Sequence, residues 1–326
     1  MKKIFLAVVA LAAMTACSND DVVSYDKGQA IAFGDAFVNN STRATDYTYG
    51  EVDLTSFKVY GTVTGEEGTL NIFNGVVLEG TVGNKTWSYK DKDTQDQYWL
   101  AGASYEFAAV VDAEVSNPTD PFMPETLAPD AADNGSNFKD MLYATTTATV
   151  SDQGVPSVAD GIVNFTFEHL LSKVQFTVTS NAKGDYSHSV TGITVENYKT
   201  GAYTIAVDGD GEDVSYWAVD SGVDNKKYVE FGVVEDVTVA DATGKTNATQ
   251  MLLIPTTDDF TVSFTVETYL NDTLMSVEPK TVTVDNDLVK GHSYNFTIAC
   301  AVNAPIKFSV TADPTWDSTN GTVTVQ

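Results

Sequence analysis

The run Val163-Asn164-Phe165-Thr166-Phe167-Glu168-His169-Leu170-Leu171-Ser172-Lys173-Val174-Gln175-Phe176-Thr177-Val178 alternates apolar and polar residues, breaks around Leu170-Leu171, and alternates again. A period of two sends every second side chain to one face of a strand, so the run reads as strand, short break, strand. Outward from it the same pattern recurs at Phe57/Val59, Tyr105/Phe107/Ala109/Val111, Tyr203/Ile205/Val207, Val262/Phe264/Val266 and Val282/Val284. Helical periodicity is nearly absent. Thr and Val dominate these segments, and β-branched side chains suit a pleated surface better than a helix. Turn chemistry separates them at Gly65-Glu66-Glu67-Gly68, Asn74-Gly75, Asn134-Gly135, Asp208-Gly209-Asp210-Gly211 and Asn320-Gly321. The expected fold is all-β, built of β-sandwiches with few short helices.

The length of 326 residues suggests two domains at roughly 150 residues each, with the second beginning inside the opening run, near Glu168. Between Asn117 and Asp160 the chain is rich in Pro, Asp and Ala. It reads as a long excursion on the first domain's surface with one strand, Met141 to Val150. The 45 acidic residues outweigh 18 basic ones for a net charge of −27, and a single basic residue, Arg43, is arginine. A chain so charged cannot present the cationic face that nucleic acid or anionic lipid requires. With 43% hydrophobic residues it is also too apolar to be a disordered acidic polymer.

Lys2 and Lys3 precede an apolar stretch, Ile4 to Ala13, too short to span a bilayer and built like the core of a secretory signal. Its end, Met14-Thr15-Ala16-Cys17, resembles a bacterial lipoprotein signal in which Cys17 becomes the lipidated N-terminus. Removal of residues 1 to 16 takes away two lysines and no acids, which moves the charge from −27 to −29. Ser18-Asn19-Asp20-Asp21 then resembles the acidic tag of surface-exposed Bacteroidetes lipoproteins. With Cys17 acylated, Cys300 has no disulfide partner, and its phase with Tyr294, Phe296 and Ile298 places it on the buried face of a strand. No other run reaches 18 apolar residues, so the lipid is the expected membrane attachment.

Four features, in order, resemble the fimbrillin family, the subunits of type V pili in Bacteroidetes. They are the signal ending at Cys17; Ala30-Ile31-Ala32-Phe33 followed by Ser41-Thr42-Arg43-Ala44; the Phe167-to-Val174 crossover; and Gly291-His292-Ser293-Tyr294-Asn295-Phe296-Thr297-Ile298. The resemblance implies two tandem transthyretin-like β-sandwich domains of Greek-key type. It also implies export as a lipidated precursor, proteolysis after an arginine near the N-terminus, and polymerisation by donor-strand exchange. The expected division is a signal at 1–16, a propeptide with the first strand at 17–43, domains at 44–167 and 168–304, and a tail at 305–326.

That mechanism has a physical reading in the residues. Cleavage between Arg43 and Ala44, by an arginine-specific protease, frees the strand around Ile31 and Phe33. It leaves a groove with unpaired backbone and vacant apolar sites. Three or four such side chains are worth roughly 5 to 12 kcal/mol of burial. Ile306, Phe308 and Val310, then Val323 and Val325, offer alternating apolar positions for a donated strand, or for a strand resident in the chain's own second domain. Donor and acceptor surfaces differ, so the contact grows a filament.

Other constellations carry less. Asp208-Gly209-Asp210-Gly211-Glu212-Asp213 fails the calcium-loop pattern at its sixth and twelfth positions and reads as an acidic hairpin turn. His169, His188 and His292 lack metal-ligand spacing. No nucleophile elbow or phosphate loop is present, so the chain is expected to be no enzyme and to need no cofactor. Trp87, Tyr89, Tyr98, Trp99, Tyr216 and Trp217 either stack on sugars or fill the core, and core filling is favoured. The leading expectation is a cell-surface pilus subunit, a shaft subunit by preference, whose partners are other subunits, the protease and a host or bacterial surface ligand. The competing one is a monomeric, glycan-binding outer-membrane lipoprotein.

Overall fold

The computed structural model describes residues 28–38, 54–80, 87–91, 96–116, 123–129, 138–219, 222, 225–241, 243–247, 250–302 and 304–313. Before the crossover the strands are β1 (Ala32–Val38), β2 (Ser56–Gly65), β3 (Gly68–Glu79), β4 (Ser88–Tyr89), β5 (Ser104–Val111), β6 (Ala113–Ser116), β7 (Thr126–Pro129), β8 (Leu142–Thr149) and β9 (Ile162–His169). After it come β10 (Ser172–Ser180), β11 (Tyr186–Tyr198), β12 (Ala202–Thr204), β13 (Tyr216–Ala218), β14 (Lys226–Glu230) and β15 (Val234–Val237). The last are β16 (Lys245–Thr246), β17 (Met251–Leu253), β18 (Phe260–Leu270), β19 (Thr273–Val284), β20 (Ser293–Cys300) and β21 (Lys307–Asp313). The chain is all-β, as the alternation predicts, with a 3-10 turn at Ala159–Gly161.

Seven strands form one sheet in the order β1-β9-β8-β5-β2-β3-β4. Its two ends meet, because Phe33 in β1 bridges to Trp87 beside β4 and Ala30 bridges to Tyr98. Inside lies a core that includes Phe57, Phe73, Tyr105, Phe107, Phe165 and Phe167. The later strands form two sheets, β16-β10-β20-β21 with β17 also on β10, and β14-β11-β18-β19 with β15 also on β11. Phe176, Val195, Val262, Phe296, Ile298 and Val310 fill the space between them. β10 and β20 run parallel from Lys173/Ser293 to Ser180/Cys300. Both start at the crossover, where Gly291 N–H donates to Leu171 O at 2.9 Å and Lys173 N–H donates to His292 O at 2.9 Å.

A fourth sheet, β13-β12-β7-β6, draws strands from both sides of the crossover. Over it lies a third core that joins Tyr60, Ala108 and Val110 to Leu170, Leu171, Tyr198, Tyr203 and Ile254. Here the expectation of a single strand between Asn117 and Asp160 needs correction. Thr126–Pro129 is a second one, paired with β6 and β12, and its short apolar signal, Leu127, is buried by contact with the other half rather than by its own hairpin. Two turn readings divide. Gly65-Glu66-Glu67-Gly68 closes the β2–β3 hairpin, whereas Asn74-Gly75 is a bulge inside β3. The register there steps from Val59↔Val76 to Tyr60↔Asn74, and Gly75 sits at φ 65° with the Tyr60 ring where a Cβ would point. The reading of Tyr203/Ile205/Val207 as one strand also shortens. Pairing with β7 ends at Thr204, and Val207 is exposed beside the acidic turn.

Candidate functional site

The residues singled out by sequence fall into two groups. Cys17, Arg43, Ala44, Val323 and Val325 lie outside the described residues. Ile31, Phe33, Ile306, Phe308 and Val310 are described.

Ile31 and Phe33 are buried, and so is Ala36 further along β1. Phe33 enters an aromatic floor, with ring centroids 5.4 Å from Phe73, 6.3 Å from Phe107 and 6.1 Å from Phe165. β1 is held along both edges. On one it runs parallel to β9 from Ala32↔Ile162 to Val38↔Phe167. On the other, Ile31 N–H donates to Gln97 O at 2.8 Å, Trp87 N–H donates to Phe33 O at 3.1 Å, and Trp99 N–H donates to Gln29 O at 3.0 Å. Gly34 allows the close approach to β9, since a Cβ there would lie 2.5 Å from Ile162 and Asn164 side-chain atoms. The site is therefore a slot between β9 and a bank made by residues 87 and 97–99, filled by the chain's own first strand.

The walls are apolar, and the Trp99 and Tyr105 polar groups are hydrogen-bonded, whereas the Tyr89 hydroxyl is buried without a hydrogen-bond partner. Trp99 Nε1 donates to Gly161 O at 3.1 Å, and Leu100 N–H donates to the Tyr105 hydroxyl at 2.7 Å. Burial raises the Tyr105 phenol above its ordinary pKa, against that hydrogen bond, which lowers it. Burial and then Asp96 push Tyr89 up to about 12. With backbone pairing on both edges and apolar side chains beneath, the slot has the form of a receptor for one strand.

The ladder also fixes where the flanking chain departs. β1 runs with β9, so Val38 lies at the end of the sheet where β9 enters the crossover. Leu142 pairs with His169, Val111 with Leu142, and Lys58 with Val110, which carries the same end across to the start of β2. The segment 39–53, which contains Arg43, thus leaves and rejoins the sheet at its crossover end. β21 ends there too, since Asp313 pairs with Ser293.

Ile306, Phe308 and Val310 occupy the chain's own second core. Among the described residues β21 pairs antiparallel with β20 along one edge only. Val310 is fully buried, and the Phe308 ring stacks 5.6 Å from Phe296 and 6.2 Å from Phe264.

Sequence reasoning missed the second bank of the slot. Trp87 and Trp99 were legible as core residues, but the backbone pairing of residues 87 and 97–99 with β1 leaves no periodic signal. Both indoles are buried, and Trp217 Nε1 donates to Leu170 O at 2.8 Å. Of the aromatics weighed for sugar stacking, Tyr216 stands exposed. The acidic stretch forms a turn in which Asp208 Oδ1 accepts from the N–H groups of Asp210 and Glu212. His169 is not isolated, as its spacing suggested, because its Nδ1 lies 2.7 Å from Asp140 Oδ2 in the buried crossover. Cys300 is buried in β20, as its phase predicted, and burial pushes its thiol up to about 12.

A profile described as fimbrillin-like matches residues 42–314. Among solved structures, the chain is similar to a fimbrial protein from Bacteroides vulgatus, with 14% identity, TM-score 0.55, and coverage of 88% of this chain and 99% of that one. A candidate cell adhesion protein from Bacteroides uniformis is 14% identical, with TM-score 0.50 and coverage of 88% and 98%. Another from Bacteroides ovatus is 17% identical, with TM-score 0.50 and coverage of 87% and 96%. At these identities the likeness is one of fold. No curated protein matches the sequence.

Proposed function

The chain belongs to the fimbrillin-like family, and from that premise we propose that it is a structural subunit of a cell-surface fimbria. It is exported as a lipoprotein carried on Cys17, cut between Arg43 and Ala44, and polymerised by donor-strand exchange. The observation that supports this reading is the seating of β1. Its backbone is bonded on both edges and its side chains complete an aromatic core, yet a segment that contains the chain's single arginine joins it to the rest. Cutting there makes β1 a separate piece held without a covalent tie. Its departure uncovers Phe73, Phe107 and Phe165 and strips partners from β9 and from residues 87 and 97–99. Burial of Ile31 and Phe33 alone is worth about 3 to 6 kcal/mol, so the empty slot favours a replacement strand. The tail of the next subunit, with Val323 and Val325, supplies one, and the heterologous contact propagates.

The reading as a monomeric glycan binder loses support from the burial of Trp87 and Trp99 and from the engagement of Trp217 by Leu170 O. Shaft position remains the reading for a subunit with both a cleavable first strand and an apolar tail. Mass spectrometry of material sheared from cells is expected to show an N-terminus at Ala44, and unboiled gels are expected to show a ladder of bands that Arg43→Ala abolishes. Filaments whose subunits all begin at Cys17 would overturn the proposal.

A further inference from the structure

The β12–β13 hairpin has two faces of opposite character. Tyr203, Ile205 and Trp217 turn inward and pack in the third core. Val214 and Tyr216 lie two residues apart in the run that pairs with β12, through Thr204↔Tyr216 and the Val214 N–H donating to Ala206 O at 2.9 Å, so they share the opposite face. Both are exposed there, Tyr216 at 56% and Val214 at 46%, and Val207, bridged to Asp213, is exposed at 67%. Single apolar side chains on a surface are ordinary, but these gather on one hairpin. β13 also ends its sheet, paired with β12 alone among the described residues. Bonded and non-bonded pairs alternate along an antiparallel ladder, so the Val214 bond turns the Trp217 N–H and C=O toward the open edge. Next to the patch the hairpin tip carries Asp208, Asp210, Glu212 and Asp213, all exposed. Among the described residues the ion pair that reaches this tip is Lys290–Asp213, at 4.0 Å, and that lysine is already held by Glu168 at 3.0 Å and donates to the Tyr203 hydroxyl at 2.8 Å.

We propose that this edge and face dock an extended segment of a partner protein that carries both apolar and basic side chains. Three features select that partner. The open edge of β13 offers main-chain pairing to a strand. Val214 and Tyr216, at alternate positions beside that edge, offer contacts to every second side chain of the strand, as cross-strand neighbours do. The acidic tip prolongs the same line with negative charge, so the side chains that pass it are those of Lys or Arg. A second copy of the chain, at −27, is repelled from the tip, as is an anionic lipid surface. Neutral sugars leave its carboxylates unused. The core beneath, with Trp217 Nε1 donating to Leu170 O at 2.8 Å, holds the hairpin in place before the partner arrives, which spares the cost of ordering it. Docking here requires neither cleavage at Arg43 nor strand exchange, so the face works in the monomer as well as in a fimbria.

The probe is a fluorescein-labelled decapeptide of alternating Lys and Val, titrated with the full chain at about 0.15 M salt and followed by anisotropy. Val214→Ser/Tyr216→Ser, which changes two exposed side chains, is expected to weaken binding about tenfold. Asp210→Asn/Glu212→Gln is expected to weaken it and to flatten its salt dependence. A strongly acidic chain attracts any cation, so Glu66→Gln/Glu67→Gln, at the exposed tip of the β2–β3 hairpin, removes the same charge elsewhere. That variant is expected to bind within about twofold of the parent, since its charges lie off the docking face. On the parent chain, with no substitution to disturb folding, a decapeptide of alternating Lys and Ser is expected to bind about tenfold more weakly, and a glucosamine oligomer is expected not to compete. Undiminished binding by a folded Val214→Ser/Tyr216→Ser chain, equal loss in the Glu66/Glu67 variant, equal affinity for the Lys-Ser peptide, or full competition by the glucosamine oligomer each overturns the docking face.

Discussion

His188 is fully buried in β11, with Nδ1 hydrogen-bonded to Ser180 Oγ at 3.0 Å and Nε2 without a partner. Burial holds its pKa below the usual 6.5, with Glu278 opposing weakly. The unfolded chain therefore binds a proton more readily than the native one between the lowered value and 6.5. Stability is fully present above about 6.5 and is lost as pH falls through that window. Urea midpoints measured from pH 7.5 down to 5 are expected to fall for the parent and to fall less for His188→Gln. Parallel curves would show that the imidazole is not the group that titrates. Isolated spacing made His188 legible as a packed residue, and phase did the same for Cys300. The Asp140–His169 pair was not legible, because its partners come from different sides of the crossover and the residues near Asp140 show no alternation.

The elements divide in the same way. Alternation exposed β5, β9, β10, β18 and β20, since each buries one face against a core of its own half. It could not reveal that β1 lies parallel to β9 or β20 parallel to β10, because a strand's pattern is the same whichever way its neighbour runs. Nor did it mark the tight β18–β19 turn. Asn271 and Asp272 both take positive φ there without a glycine, a conformation that Asn and Asp tolerate. The tail shows what the structure adds. Residues 305–326 read as two candidate strands, either donated or resident in the chain's own second domain, and the first of them, β21, completes the second core through Val310 and Phe308. Truncation after Asp313 is expected to leave a folded chain that no longer polymerises. Truncation before Lys307 strips the edge from β20 and should cost several kcal/mol, on the order of the burial of one Val and one Phe, read as a lowered denaturation midpoint. If the shorter truncation still forms filaments, the donated strand is not residues 314–326.

At the scale of the whole molecule the charge sets how subunits meet. Residues 1–43 carry four basic and four acidic groups, so removing them leaves the −27 of the whole chain unchanged. Every encounter between processed subunits is therefore one of like with like, and strand exchange has to proceed against that field until the apolar slot and the tail make contact. Repulsion of this kind acts over the Debye length, about 30 Å in 0.01 M salt and about 8 Å at 0.15 M. The short-range terms, backbone pairing and burial in the aromatic floor, change little over that interval. Assembly of subunits cut in vitro, followed by light scattering, is thus expected to accelerate as salt rises from 0.01 to 0.15 M and then to level off. A partner pair brought together by charge complementarity slows over the same range. A rate that falls with salt would mean that opposed charges lead the encounter. A rate that rises assigns the lead to the slot.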